Sequence, residues 1–237
     1  MITSPTSRCF VLVVTRQERL HRRPVALTTH PASIAAFRRS VMVAAGQIKA
    51  LLSPHGLEVL PVDAEALLTE TRWQMFRHQV DADSWWLHAR GRLSRTLEPQ
   101  LFGQRVRQAA AGNVAIADQL VVVTNQELTP PPQWRYLMWD TAAAEHNAVI
   151  SGCPMDPYYW GTEIKDRFAV LERRVRAAIC ATIGELLGLA HCDNEACFMR
   201  RDVTSVLELD DMAEYGTEHA DAGLGGVTFP PALRKAP

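Results

Sequence analysis

Apolar residues recur along this chain either as short continuous runs or as longer runs with a helical period. Continuous runs rich in β-branched residues, at 9–15, 57–62 and 120–124, predict three buried strands. Between the first two, apolar residues at helical spacing begin after Pro31 and stop before Pro54. A strand, a helix and a strand of these lengths predict a βαβ unit in a partly parallel sheet.

The segment 73–111 is rich in Trp, Arg and Leu, and it predicts mostly helix with interruptions near Gly91 and Pro99. It contains the pair Trp85–Trp86, which has the size of a ligand platform. Large aromatic side chains more often pack between elements, so we expect this pair to belong to the core.

The second half of the chain predicts two further strands, at 135–139 and 148–151, joined by a polar turn. Three consecutive prolines at 130–132 precede them and predict an extended loop. The last residues, 223–237, are rich in Gly and Pro and predict little order.

Apolar residues recur at helical spacing through 164–190 and predict a long core helix. The residues of this apolar face are Phe168, Leu171, Val175, Ile179, Ile183, Leu186 and Ala190. Positions four apart share a helix face, so Ala181 and Glu185 point the same way, with Thr182 one step round. Gly188 permits a sharp exit from the helix, which would bring His191 back beside that face.

Composition narrows the function classes. The net charge of −1 and pI of about 6.7 give no field that favours nucleic acid or an anionic membrane, so neither is an expected partner. The local basic run 19–23 is typical of a solvated loop. The chain shows no secretory signal, and five cysteines at uneven spacings do not form a disulfide framework. We therefore expect a cytoplasmic protein with reduced thiols.

The stretch "ATIGELLGLAHCDNEACFM", residues 181–199, resembles the archaemetzincin family, whose pattern is H-E-x-x-H-x-x-G-x-x-H-C-x-x-x-x-C-x-M. The matching residues, in register without an insertion, are Gly188, His191, Cys192, Cys197 and Met199. Upstream, "LVVVT", "WRYLMW" and "NAVISG" occur in the family's order, so the resemblance covers roughly residues 9–200.

This resemblance implies an α/β fold of metzincin type. Its parts would be a mixed twisted sheet, backing helices, an active-site helix and a small irregular C-terminal lobe. The larger lobe would span 1–190 and the smaller 191–237, together forming one compact domain. The family's edge strand would allow an extended peptide to add to the sheet.

The positions that depart from the family pattern are those of its zinc ligands and its general base. Ala181 and Glu185 replace the two helical zinc-binding histidines, and Thr182 replaces the glutamate that acts as general base. Of these, only Glu185 could still bind zinc. Without a third ligand and a base, we expect no catalytic zinc and no peptidase activity.

A second zinc of the family uses two cysteines, matched here by Cys192 and Cys197, with a later C-x-x-C. The corresponding segment, 217–220, has only His219. His191, Cys192 and Cys197 therefore remain as candidate ligands of a residual zinc, which His219 could join. The alternative is structural, with a histidine at a helix end and thiols packed as small hydrophobes.

The sequence thus predicts a catalytically inactive, pseudo-metallopeptidase member of this family whose cleft binds a peptide or protein. One alternative is an active, aminopeptidase-like zinc enzyme that uses Glu185, His191 and a ligand from a distant loop. Another is a structural or interaction protein with a filled cleft. A Cys–His nucleophile, such as Cys192 with His219, has no local signature.

Overall fold

The computed structural model describes residues 8–15, 31–64, 97–110 and 119–229. In chain order, its strands and longer helices are β1 (Arg8–Thr15), α1 (Pro31–Leu52), β2 (Leu57–Asp63), α2 (Pro99–Ala110), β3 (Gln119–Thr124), β4 (Trp139–Ala142), β5 (Asn147–Ser151) and α3 (Arg167–Leu186). The basic run 19–23, Gly91 and the pair Trp85–Trp86 lie outside the described residues.

The strands form one mixed sheet in the order β2-β1-β3-β5-β4. Strands β2, β1, β3 and β5 are mutually parallel, and β4 runs antiparallel to β5 at the edge. The predicted βαβ unit is confirmed, because β1 and β2 pair in parallel and α1 connects them. The α/β class with a mixed sheet is confirmed as well.

Helices cover both faces of this sheet. Alternate residues of β1 point to opposite faces, so Phe10 and Leu12 pack with α1 and α3, while Val11 and Val13 pack with α2. A strand that is buried on both sides needs a continuous apolar sequence rather than an alternating one. This explains the unbroken run at 9–15.

Two predicted element boundaries were wrong. The strand expected at 135–139 begins only at Trp139, since β5 takes its partners from Trp139–Ala142 and the last bond across the pair joins Ser151 N–H to Met138 O at 2.7 Å. The helix expected at 164–190 is shorter at both ends. Phe168 is also not on the buried face. It is 45% exposed and lies in the first turn against the Arg167 guanidinium.

The irregular segment after α3 packs back onto that helix. Asp210, 8% exposed, accepts hydrogen bonds from Arg173 and Arg174 at 2.9 and 2.8 Å. The Tyr215 hydroxyl donates to Cys180 O at 2.6 Å and is fully buried. Little order was predicted from 223 onward. That prediction is wrong for 223–229, where the apolar side chains Leu224, Val227 and Phe229 are buried.

Replacing Tyr215 with phenylalanine should lower stability by about 1 kcal/mol, because it removes one buried hydrogen bond and keeps the ring. For a chain of this size the melting temperature should fall by about 2–4 °C. Tyr136→Phe is the matched control, since its hydroxyl donates to Thr204 O at an exposed site. Equal shifts in thermal melts of the two variants would contradict the anchoring role of Tyr215.

Candidate functional site

The C-terminal end of α3 is a glycine-terminated turn. Gly188 has a φ of +79°, its N–H donates to Glu185 O, and Leu189 N–H donates to Gly184 O, both at 3.0 Å. These two bonds are those of a Schellman motif, which ends a helix and reverses the chain. The sharp exit that Gly188 predicts is therefore present.

The turn brings His191 beside Glu185. The distance from His191 Nε2 to Glu185 Oε1 is 3.9 Å, with the histidine side chain 50% exposed and the glutamate 19%. Trp139 Nε1–H donates to the same Glu185 oxygen at 3.3 Å. Glu185 and His191 thus border one space, as helical spacing indicates, and edge strand β4 forms part of its wall. We call Trp139, Glu185 and His191 the cleft residues.

The two other motif positions are buried. Ala181 is 2% exposed, and Thr182 is fully buried with its hydroxyl donating to Ile179 O at 2.9 Å. Neither residue presents a metal donor or a base to the space between Glu185 and His191. In the described part of the chain, no third Cys, His, Asp or Glu joins that pair in a metal-binding group. The residues present therefore do not fit a catalytic zinc, which needs three protein ligands.

A second cluster lies a few residues further along. One ligand atom from each of Cys192, Cys197, Glu218 and His219 falls within 4.8 Å of all the others. The two cysteines proposed from the sequence are brought together, whereas His191 lies with the cleft residues. His219 takes the histidine position that the sequence left open. We call these four residues the Cys–Glu–His cluster.

The loop that carries the cysteines is fixed by its backbone. Cys192 N–H donates to Met199 O and Arg201 N–H donates to Cys192 O, both at 2.8 Å, which closes the loop on itself. Inside it, the Asn194 side chain accepts from Ala196 N–H at 3.0 Å. Both thiols are therefore positioned by hydrogen bonds that do not depend on a metal.

Backbone N–H groups also point at one of the sulfur atoms. Cys197 Sγ accepts from Met199 N–H and from Gly216 N–H, each at 3.3 Å, and Cys197 is fully buried. These two donors belong to different segments, the loop after α3 and the backbone before the Thr217–Ala222 turn. They hold the sulfur atom in place between the two segments.

The neighbouring thiol is held protonated as long as no cation is nearby. Burial, and then a hydrogen bond with the Glu218 carboxylate, raise the pKa of the Cys192 thiol to about 12. The same hydrogen bond lowers the pKa of Glu218. A nucleophilic cysteine needs a lowered pKa, so this environment disfavours the Cys192–His219 nucleophile.

The surroundings of His219 show whether the cluster is suited to a metal ion. Its side chain is 6% exposed, and among the described residues its Nε2 has no hydrogen-bond partner. Burying a polar nitrogen without a partner costs free energy, and a metal ion bound at that nitrogen would satisfy it. Two thiolates, an imidazole and a carboxylate form a set that zinc binds tetrahedrally. The Cys–Glu–His cluster therefore fits zinc.

Glu218 is the cluster residue that the sequence did not indicate. An acidic residue beside a histidine carries no spacing signal, and the cluster joins residues more than 20 positions apart. Gly216 also indicates the position of Glu218, but only once the fold is known. A Cβ added at Gly216 would lie 2.3 Å from the Glu218 carboxylate oxygens, so this glycine leaves the space that the carboxylate fills.

The fold and site define an α/β protein with a helix end bearing two cleft residues and, beyond it, a cluster of zinc-binding type. No family model and no curated protein matches the chain. Among solved structures it is similar to an archaemetzincin from Methanopyrus kandleri, with 14% identity, TM-score 0.47, and 90% of each chain covered.

It is also similar to a zinc-dependent peptidase from Methanocorpusculum labreanum, with 16% identity, TM-score 0.47, and 86% of this chain and 93% of that chain covered. A third structure is an archaemetzincin from Archaeoglobus fulgidus complexed with malonate, with 14% identity, TM-score 0.44, and 95% and 97% covered. Two of these three structures are archaemetzincins, the family that the motif at 181–199 resembles.

Proposed function

We propose that this chain is a pseudo-metallopeptidase, which has lost the catalytic zinc site and binds an extended peptide or protein segment beside β4. The observation that carries the proposal is the burial of Ala181 and Thr182, which leaves Glu185 and His191 without a third ligand or a base. Removing a general base alone typically costs about 10²- to 10⁴-fold in rate, and without a metal the Lewis-acid contribution is lost too.

The edge of β4 has the geometry to receive a strand. Met138 bonds across to Ser151, so along β4 the peptide groups of Asp140 and Ala142 face β5. Those of Trp139 and Thr141 face outward. Within the described ranges these outward groups have no backbone partner, and an edge with unpaired N–H and C=O groups is a template for an added strand.

Side chains around this edge supply further contacts for a peptide. The carboxylate of Glu185 and the exposed imidazole of His191 lie on the α3 side. Where the chain approaches β4, Tyr136 packs edge-to-face on Trp160 with ring centroids 5.0 Å apart, and Trp160 is 45% exposed. Exposed aromatic residues next to a strand edge are typical of peptide-binding surfaces.

The same proposal includes a zinc ion in the Cys–Glu–His cluster with a structural role. Zinc there would cross-link the loop after α3 to the turn at Thr217–Ala222. Supporting observations are the buried His219 nitrogen, which has no partner within the described segments, and the N–H groups that donate to Cys197 Sγ. The absence of a disulfide at Cys153, Cys180, Cys192 and Cys197 agrees with the reducing, cytoplasmic environment that we propose for the protein. Within the described ranges, no helix combines the length and hydropathy of a membrane span.

One observation favours a second candidate, a structural or interaction protein in which the cleft has closed. Ala181 is 2% exposed and belongs to the main core cluster, so at that position the space is already packed. A protein of this second kind would bind no peptide at β4. Peptide binding therefore separates the two candidates.

We expect the full-length protein to retain peptides from a random decapeptide library and to release them uncleaved. The measurement is mass spectrometry of the retained peptides, followed by fluorescence anisotropy with one of them. Thr141→Pro should weaken that peptide's binding at least about 10-fold, because proline removes an outward N–H group at an edge where it is otherwise tolerated.

Thr141→Val is the matched control. It keeps the N–H group and removes only a hydroxyl that has no hydrogen-bond partner among the described residues, so its affinity should equal that of the parent. If both variants bind like the parent, the peptide does not add to β4. If no peptide is retained at all, the closed-cleft candidate is preferred. Cleavage that is abolished by chelator and restored by zinc would show an active metallopeptidase.

A further inference from the structure

We infer that the fourth ligand position of the Cys–Glu–His cluster, the one at Glu218, is exchangeable, so that a small soft anion such as a thiolate can bind the metal there. This inference rests on the zinc proposed above for the cluster. It assigns the centre a ligand-binding role beyond holding the C-terminal segment in place.

Three of the four ligands are fixed by the fold. Cys197 is fully buried and receives two backbone N–H groups. His219 is 6% exposed, and its Nε2 has no hydrogen-bond partner in the part of the chain that the structure describes. Cys192 lies in a short bridge to Arg200, closed by the hydrogen bonds of Met199 and Arg201. The backbone that carries each of these three donors is held by hydrogen bonds within the fold.

Glu218 is held differently. It is exposed, and it lies in the first turn of the Thr217–Ala222 segment, at the surface of the protein. The contacts of its carboxylate are a hydrogen bond with the Cys192 thiol and one with its own backbone, over the space left by Gly216. Because the side chain is exposed, the carboxylate can rotate into solvent without a change in the fold.

Three fixed ligands and one replaceable ligand are the anatomy of an open zinc site, whereas closed structural sites have four fixed ligands. Charge agrees with this assignment. Two thiolates and a neutral histidine compensate the two positive charges of zinc, so Glu218 brings the centre to −1. An incoming monoanion that replaces Glu218 leaves that charge unchanged, and a metal already bound by thiolates favours a soft one.

The test uses the full chain loaded with one equivalent of Co²⁺, whose thiolate charge-transfer absorption reports the sulfur ligands. Titration with 2-mercaptoethanol should increase this absorption as the cobalt goes from two thiolates to three. In Glu218→Ala the same increase should need several-fold less thiol, because no carboxylate competes. Cobalt affinity, measured against a chromophoric chelator, should fall less than about 10-fold in Glu218→Ala and more than about 100-fold in His219→Ala.

The titration of the parent protein needs no variant, so a His219→Ala chain that fails to fold does not remove the test. An absorption that does not respond to thiol overturns the inference. So does a Glu218→Ala protein that loses cobalt as completely as His219→Ala, which would make the site closed while leaving the zinc centre intact. A parent that binds neither cobalt nor zinc removes the centre and this inference together. The peptide site is tested separately by Thr141→Pro.

Discussion

Replacing Cys197 with alanine is expected to abolish zinc binding and to lower the melting temperature of the zinc-loaded protein by roughly 8–16 °C. A ligand that binds only the folded state stabilises it by about 4 kcal/mol when present at 1,000 times its Kd. For a chain of this length, about 2–4 °C of melting temperature corresponds to each kcal/mol. Elemental analysis and thermal melts with zinc or with chelator provide the two measurements.

The control is Cys180→Ala, which removes another fully buried thiol, on α3 and not a member of the cluster. It should keep one equivalent of zinc and the full zinc-dependent shift, whatever the cost of the small cavity that it creates. Chelator should bring the parent to the melting temperature of Cys197→Ala, apart from the cost of the cavity that Cys197→Ala itself creates. A Cys197→Ala protein that still melts higher with zinc than with chelator would show that the ion is held elsewhere.

The parts of this structure that the sequence predicted are those set by local periodicity. The continuous apolar run at 9–15, which is short and rich in β-branched residues, indicates a buried strand, and the helical spacing that ends at Leu52 indicates a packed helix. The pairing of Glu185 with His191 is also local. The pairing is determined by one helix face, by a glycine with a positive φ and by the three residues that follow it. The structure shows the two side chains 3.9 Å apart.

What the sequence missed depends on contacts between distant residues. Trp139 begins a strand because β5 lies opposite it, and no pattern within 135–139 sets that register. Asp210 forms ion pairs with Arg173 and Arg174 of α3, which are distant from it in the sequence. Glu218 joins the cluster from an irregular turn, where hydrophobic period gives no information.

The burial of Ala181 and Thr182 could not be predicted from the sequence either. A helix face that lines an open cleft and one that lies against packed side chains have the same apolar pattern, since small residues suit both. Which of them is present depends on what the rest of the chain places there. In this fold it is the core.

Rebuilding the lost site by Ala181→His together with Glu185→His is therefore expected to give a less stable protein that binds a second equivalent of zinc. Histidine at a 2% exposed position should cost about 1–3 kcal/mol, or roughly 2–12 °C of melting temperature. The gain comes from three histidines, at 181, 185 and 191, the first two on one helix face and the third 3.9 Å from Glu185 before the change. With zinc at 100 times its Kd, about 2.7 kcal/mol should return, a shift of roughly 5–11 °C beyond that of the parent.

The control for this repair is Ala181→Leu with Glu185→His, which imposes a similar overpacking and offers one donor fewer. It should melt low and show only the zinc shift of the parent, which comes from the Cys–Glu–His cluster. Adding Thr182→Glu to the histidine pair would place a carboxylate at a fully buried position, so we expect loss of folding rather than a gain of peptidase activity. The measurements are zinc stoichiometry and thermal melts of the parent, the repaired variant and the leucine control. A folded histidine variant that holds no more zinc than the leucine control would mean that position 181 cannot reach His191, and the space beside Glu185 would then be core rather than the remainder of a metal site.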